Sequence, residues 1–453
     1  MPRRTHRLAD ILRVLARAFA LVPLSAATAQ NAVPPPSMPV VVRSDPKIVD
    51  AQIDLDLYGS PDANPNALRF NQGIVGPVFR IPSATIALSV LTRTSWCDTD
   101  FTTLDARCFI DGREIRVDPA QVFVRGQTAS DALLVYTLTF PPSGVNTMGV
   151  EARYRTQRWE VEVDEVAASR ATWPREWSGG PEKFLGKEPG IDPEDPLIRQ
   201  VATEATPGGP RAASPFVAAR NAVSAVLARW KSVTGAASEF GPDRGLRGFR
   251  FTTNGASGLA AGGGTPLELA LTSVAALRSI GIPARVIYGV EEERGETRAS
   301  GRSLLVFRYI CEFAVAEVGW IPFDPVQMRG SGAGNLPVGR PIRGFANVDR
   351  LREVLPLAWR AVPEGYEKAD RFATWGWKGV ELSGIDATLA VSRMRLVEVR
   401  RGNGTPARMP APVGDGVPSA PPPAPPATPK RRRRAAAPRR SCPPLMKVAL
   451  HGR

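Results

Sequence analysis

The chain has 453 residues, with 58 Lys+Arg, 44 Asp+Glu, 2 His and 4 Cys, and 43% of it is hydrophobic. That composition suits two or three globular domains and excludes a wholly disordered or coiled-coil protein. The two histidines are His6 and His451, so the body of the chain has no Ser-His-Asp or Cys-His pair and no His-rich zinc site, and four scattered cysteines make no metal-binding CxxC pairs.

The net charge of +14 belongs to the two ends. Residues 1–29 carry five Arg against one Asp, residues 401–453 carry eleven Lys/Arg against one Asp, and the span between them is balanced. A nucleic-acid function argued from overall basicity is therefore misplaced.

Residues 1–29 read as a secretory signal peptide. Arg3, Arg4, Arg7 and Arg13 form a positive head, 18–24 is a short apolar run, and Ala27-Thr28-Ala29 is a small-x-small cleavage site. Arg17 interrupts the apolar stretch, and the competing reading is an amphipathic N-terminal helix. No later segment reaches the ~18 apolar residues that span a bilayer. The expected location is periplasmic or secreted.

Residues 40–170 read as a β-sandwich-like domain. Strand signals fall at 51–58, 84–92, 122–124, 132–140, 149–155 and 159–163, separated by turn signals such as Asp111-Gly112. Cys97 and Cys108 flank DTDFTTLDAR, and export predicts a disulfide between them that closes a loop between adjacent strands. Two unrelated buried thiols are the alternative. Cys311 lies in an apolar run and reads as core.

A connector follows, and Asp192-Pro193-Glu194-Asp195-Pro196 marks a helix start. Residues 215–232 show helical periodicity through Phe216, Ala219, Val223, Val226 and Trp230. The glycine-rich stretch 255–264 lacks the Lys-Ser/Thr of a phosphate loop and reads as a backbone loop. Residues 266–280 predict an amphipathic helix stopped by Gly281. Strands are expected at 282–288, 304–315 and 320–323, so helix and antiparallel sheet form an α+β core.

These last segments resemble the transglutaminase-like superfamily, whose core is a papain-like cysteine-hydrolase fold. ALRSIGIPARVIYG at 276–289 is similar to the family's helix-to-strand turn, CEF at 311–313 to its second strand, and VGWIPFDP at 318–325 to its Gly-Trp…Asp-Pro strand. The resemblance covers 185–340, leaving 341–400 as a C-terminal extension of unknown type.

The resemblance implies a Cys at the helix N-terminus, a His on the second strand and an Asp after the third. The Cys position falls on Pro266, or on Thr265 with a one-residue slip, and the His position falls on Arg308. Only Asp324 remains in place. Alternation along the strand puts Cys311 on the face opposite residue 308, and Arg308 accepts no proton near neutral pH. Arg308 and Asp324 are expected to pair across the old site.

The first functional reading is an exported, catalytically inactive protein that binds peptide, protein or cell-wall polymer and needs no cofactor or metal. The second is a hydrolase or transferase working through carboxylates, with Glu268, Glu312 and Asp324 as candidates. The family resemblance implies that Glu312 is mostly structural. The third reading assigns nucleic-acid or anionic-polymer binding to the Arg-rich tail. Residues 402–453 are rich in Pro, Ala and Arg and predict a disordered basic tail, with 430–440 offered to an anionic surface.

Overall fold

Residues 49–57 alternate, and the period of two places Val49, Ala51, Ile53, Leu55 and Leu57 on one buried face of a strand. The computed structural model describes residues 40–58, 83–125, 131–139, 145, 147–235, 238–240, 245–249, 255–297, 303–332, 342–361, 363, 373–379 and 388–398. The signal segment 1–29, the tail 402–453 with its 430–440 patch, and Cys442 lie outside these residues.

The first half of the chain forms β1 (Val41–Tyr58), β2 (Ser83–Leu91), β3 (Cys97–Ile110), β4 (Arg113–Arg116), α1 (Pro119–Val122), β5 (Phe123–Arg125), β6 (Asp131–Thr139), β7 (Met148–Val163) and α2 (Glu165–Ala168). The middle supplies α3 (Pro196–Glu204), α4 (Pro215–Arg229), β8 (Ser232–Val233), β9 (Ser238–Phe240), β10 (Leu246–Phe249), α5 (Gly255–Ala261), β11 (Gly263–Gly264) and α6 (Pro266–Ser279). The remainder is β12 (Ala284–Thr297), β13 (Ser303–Val315), β14 (Gly319–Phe323), α7 (Pro325–Gly330), β15 (Leu355–Ala358), β16 (Trp375–Gly379) and β17 (Thr388–Glu398).

The fold is α+β, with strands dominating. A seven-stranded sheet runs β4-β3-β7-β1-β17-β10-β9, a four-stranded sheet runs β16-β2-β6-β5, and the core sheet runs β14-β13-β12-β15. The first two sheets meet through buried side chains such as Leu55, Val150, Ile86 and Leu88, and the Tyr136 hydroxyl donates to the Glu151 carbonyl at 3.0 Å.

The N-terminal β-region draws strands from far along the chain. β17 pairs antiparallel with β1, from Val49 opposite Glu398 to Tyr58 opposite Thr388. β16 pairs with β2, and β10 joins the seven-stranded sheet through β17. The span 341–400 thus supplies strands to all three of these sheets, since β15 pairs with β12. The two strand signals at 149–155 and 159–163 are one strand, β7.

The expected Cys97–Cys108 disulfide does not form: both cysteines are free and buried. They lie on one continuous strand, β3, and their partners on β7 are Arg158 and Val150. At ~3.3 Å per residue that places them about 26 Å apart along the sheet, whereas a disulfide needs Cα atoms within ~7 Å. The stretch DTDFTTLDAR is strand and bulge, not a closing loop.

α6 is buried on every side from Leu267 to Arg278, so it is a central helix and not an amphipathic surface one. Its polar side chains bond locally: Thr272 Oγ1 donates to Glu268 O at 2.7 Å and Ser273 Oγ to Leu269 O at 2.8 Å. Arg278 donates to Ala284 O at 2.8 Å and pairs with Glu188 at 3.1 Å. The glycine-rich stretch is not a loop either. It forms α5 and β11 because the tryptophan at the end of α4 lies directly on it: a Cβ on Gly258 would stand 2.6 Å from Trp230 Cη2. Among the described residues, no helix is long and apolar enough to cross a membrane.

Candidate functional site

Three elements carry the residues that the sequence singles out: the start of α6, the strand β13, and the turn from β14 into α7. Local chemistry dictates the start of α6. Thr265 is the N-cap, and its hydroxyl accepts from Glu268 N at 3.2 Å while Glu268 Oε2 accepts from Thr265 N at 2.8 Å. This reciprocal capping box is followed by Pro266 at the first helical position, where a missing N–H costs nothing.

The positive end of the helix is therefore met by the carboxyl of its own Glu268, which is fully buried. Gly264 makes room for it, since a Cβ there would stand 2.6 Å from Glu268 Oε2. The helix start is complete as built, and its first turn holds no thiol.

Arg308 projects from β13 to Asp324. Its Nη2 donates to Asp324 Oδ2 at 2.9 Å and its Nε to the same oxygen at 3.3 Å. Its Nη1 donates to Glu291 Oε2 on β12 at 3.2 Å, and Arg350 approaches that oxygen to 3.8 Å. The other oxygen of Asp324 caps α7, accepting from Val326 N at 2.9 Å and Gln327 N at 3.1 Å. Every side of the Asp324 carboxyl is thus engaged.

The Arg308 side chain is 16% exposed. Burial works against its charge, but Asp324 and Glu291 outweigh that, so its pKa is raised. It is a fixed cation with no capacity to take a proton.

Cys311 is turned away from this network. Its sulfur points under α6, 3.8 Å from Ala270 O, and it is fully buried. Burial pushes its thiol pKa well above the ordinary value, and the charges of Asp324 and Glu312 push it further. A nucleophilic thiolate needs the opposite environment.

Glu312, two repeats of the pleat beyond Arg308 on the same face, faces Arg285 on β12. The two are register partners, and Glu312 Oε2 accepts from Arg285 Nε at 2.8 Å and pairs with its Nη2 at 2.7 Å. The other oxygen accepts from Ser95 N at 2.9 Å. The Arg285 guanidinium stands 4.0 Å from the Trp320 ring centre, 4.9 Å from Trp359 and 5.2 Å from Phe184. Glu312 therefore ties a cation boxed by aromatics to the turn between β2 and β3.

The structure brings Arg308 and Asp324 together and keeps Glu268 and Glu312 in separate buried networks. Reading the sequence missed Glu291, Arg350 and the Arg285 box. Glu291 begins an acidic run that looks like a solvated edge, and Arg285 lies inside Gly-Ile-Pro-Ala-Arg, where only the strand pairing reveals its partner. Among the described residues, no group of three or more His, Cys, Asp or Glu side chains is placed to hold a metal ion.

Comparison with known proteins bears on the same segment. The family model of the transglutaminase-like superfamily matches residues 250–325. No curated protein matches the chain. Among solved structures, a candidate cysteine protease from Cytophaga hutchinsonii is similar at 12% identity with a TM-score of 0.44, covering 80% of this chain and 94% of that one. The periplasmic domain of TgpA from Pseudomonas aeruginosa is similar at 16% identity with a TM-score of 0.25, covering 62% of this chain and 96% of that one. A candidate protease from Parabacteroides distasonis is similar at 12% identity with a TM-score of 0.21, covering 62% and 58%. The segment that matches the transglutaminase-like superfamily, residues 250–325, holds the α6 start, Arg308 and Asp324.

Proposed function

We propose that this chain is an exported transglutaminase-like protein without catalytic activity, which binds peptide, protein or cell-wall polymer in the periplasm or outside the cell. The observation that carries the reading is the Arg308–Asp324 ion pair at 2.9 Å. A fixed cation stands where acyl-transfer chemistry needs a proton acceptor. Pro266 replaces the nucleophile at the start of α6, and Cys311 is buried, neutral and on the other face. The basic segment 430–440 adds an anionic surface as a second contact.

The carboxylate-enzyme reading loses support from the same geometry. Glu268 is held by Thr265 N, Glu312 by Arg285 and Ser95 N, and Asp324 by Arg308 and two backbone N–H groups of α7. All three are buried, so no pair of them meets a substrate with one acid and one base free. The nucleic-acid reading rests on the tail alone.

The test has two arms. The purified chain is incubated with an amine donor and a glutaminyl peptide, with and without a thiol reagent. No turnover is expected, and thiol-sensitive turnover would overturn the assignment. The chain is then sedimented with insoluble cell-wall polymer, with and without residues 402–453. Retention by the shortened chain is expected, and loss of all binding with the tail would remove the body from the function.

A further inference from the structure

The seven-stranded sheet holds a second cluster of buried charge, unrelated to the transglutaminase-like core. Asp54 on β1 and Glu151 on β7 are direct register partners. They are 9% and 4% exposed. Gln52 Nε2 donates to both, to Asp54 Oδ1 at 2.9 Å and to Glu151 Oε2 at 2.8 Å. Ionised carboxylates only accept hydrogen bonds, so two of them facing each other attract only when one carries a proton. Like charges directly opposite on neighbouring strands are destabilising, and burial sharpens the repulsion.

The surrounding charges come from five strands. On β7, Arg153 Nε is 2.7 Å from Glu151 Oε1. On β3, Arg107 Nε is 3.8 Å from the same oxygen, but Arg107 is shared with Asp105 at 2.8 Å and with Glu114 of β4 at 3.9 Å. On β1, Asp50 pairs with Arg155 at 2.9 Å and Asp56 follows Asp54 by one repeat. Arg393 of β17 is the register partner of Asp54. The two arginines thus address Oε1 of Glu151, while its Oε2 is turned to Gln52.

We propose that Asp54 and Glu151 hold one proton between them in the folded protein at neutral pH, and that releasing it loosens the β1–β7 ladder, so that the pair acts as an acid-set latch in the seven-stranded sheet. The latch bears on the whole fold because β1 lies between β7 and β17 and ties the two ends of the described chain together. Glu151 titrates in the direction this requires: burial raises its pKa first, the Asp54 charge raises it further, and Arg153 opposes both. A carboxyl held above its ordinary value of 4.5 binds its proton more tightly folded than unfolded. Stability is therefore greatest at acid pH and declines as pH rises from the unfolded value through the raised folded one.

Infrared spectra of the full chain near pH ~7 should show a protonated-carboxyl band that disappears in Glu151→Gln and in Asp54→Asn, because in each variant the remaining acid has no like charge to share a proton with. Wild-type protein without the band, or a band unchanged in both variants, overturns the proposal. Thermal unfolding should fall by several degrees between about pH 5 and about pH 8 in the wild type, and by less in Glu151→Gln. Equal slopes overturn it. Hydrogen exchange on the wild type alone covers variants that do not fold. β1 and β7 amides should lose protection relative to β12 and β13 amides as pH rises, and a constant ratio overturns the latch.

Discussion

The core sheet and the seven-stranded sheet both bury charge, but they manage it in different ways. In the core, Glu312 is matched by Arg285, Asp324 by Arg308, and Glu268 by the backbone it caps. In the seven-stranded sheet, Arg158 on β7 is fully buried, and none of its three guanidinium nitrogens has a hydrogen-bond partner among the described residues. Burial pulls its pKa down, while Cys97 and Glu353 act on it only through their charge. Farther along β7 and its neighbour β1, Asp54 and Glu151 face each other as like groups. The core holds a closed polar network, whereas the seven-stranded sheet keeps an unsatisfied arginine and a like-charged pair. Full pairing, not burial, distinguishes a quiet site from a strained one.

The comparison breaks first at Glu312. Glu312→Ala leaves the Arg285 cation buried in its aromatic box, and breaking a buried pair costs about 3–5 kcal/mol. Denaturant unfolding should show that loss with the m-value unchanged; a loss under half of it would mean that the box alone holds Arg285.

Arg158 supplies the opposite sign. Arg158→Met replaces an unpartnered buried cation with an apolar chain of similar length, which should be neutral or stabilising by about 1–3 kcal/mol. A thermal midpoint lower than wild type would mean that the charge of Glu353 already compensates Arg158.

Arg308→Ala should cost about 2 kcal/mol, less than Glu312→Ala, because Asp324 retains its two α7 donors. An unmoved midpoint in chemical denaturation would reduce the Arg308–Asp324 pair to a rim contact. The smallest effect is expected at Thr265→Ala, about 1 kcal/mol for a lost N-cap, with circular dichroism showing a frayed α6 rather than a lost one.

The core was largely legible because its signals are local. Thr265, Pro266 and Glu268 satisfy the first N–H groups of one helix, and Asp195 does the same for α3 by accepting from Leu197 N at 2.9 Å. The turn at Gly281 and the order of β12, β13 and β14 follow from neighbouring residues in the same way. The interface between core and sandwich was not legible. Glu312 reads as a candidate acid that the resemblance makes mostly structural, and what it holds is hidden until Ser95, far away in the sequence, is seen donating to it. Cys97 and Cys108 read as a pair because their spacing suits a loop, and only the register of β3 against β7 separates them.

The sequence by itself determined what chemistry is available: no histidine in the body, a proline and not a thiol at the start of α6, and helix starts set by side chains a few residues away. The tertiary structure decided which groups meet. It laid β17 on β1 and β16 on β2, buried Glu312 against Arg285, and set Asp54 opposite Glu151. Caps and helical periodicity depend on hydrogen bonds spanning three or four residues. Sheet pairing depends on strands hundreds of residues apart, whose register no local pattern encodes.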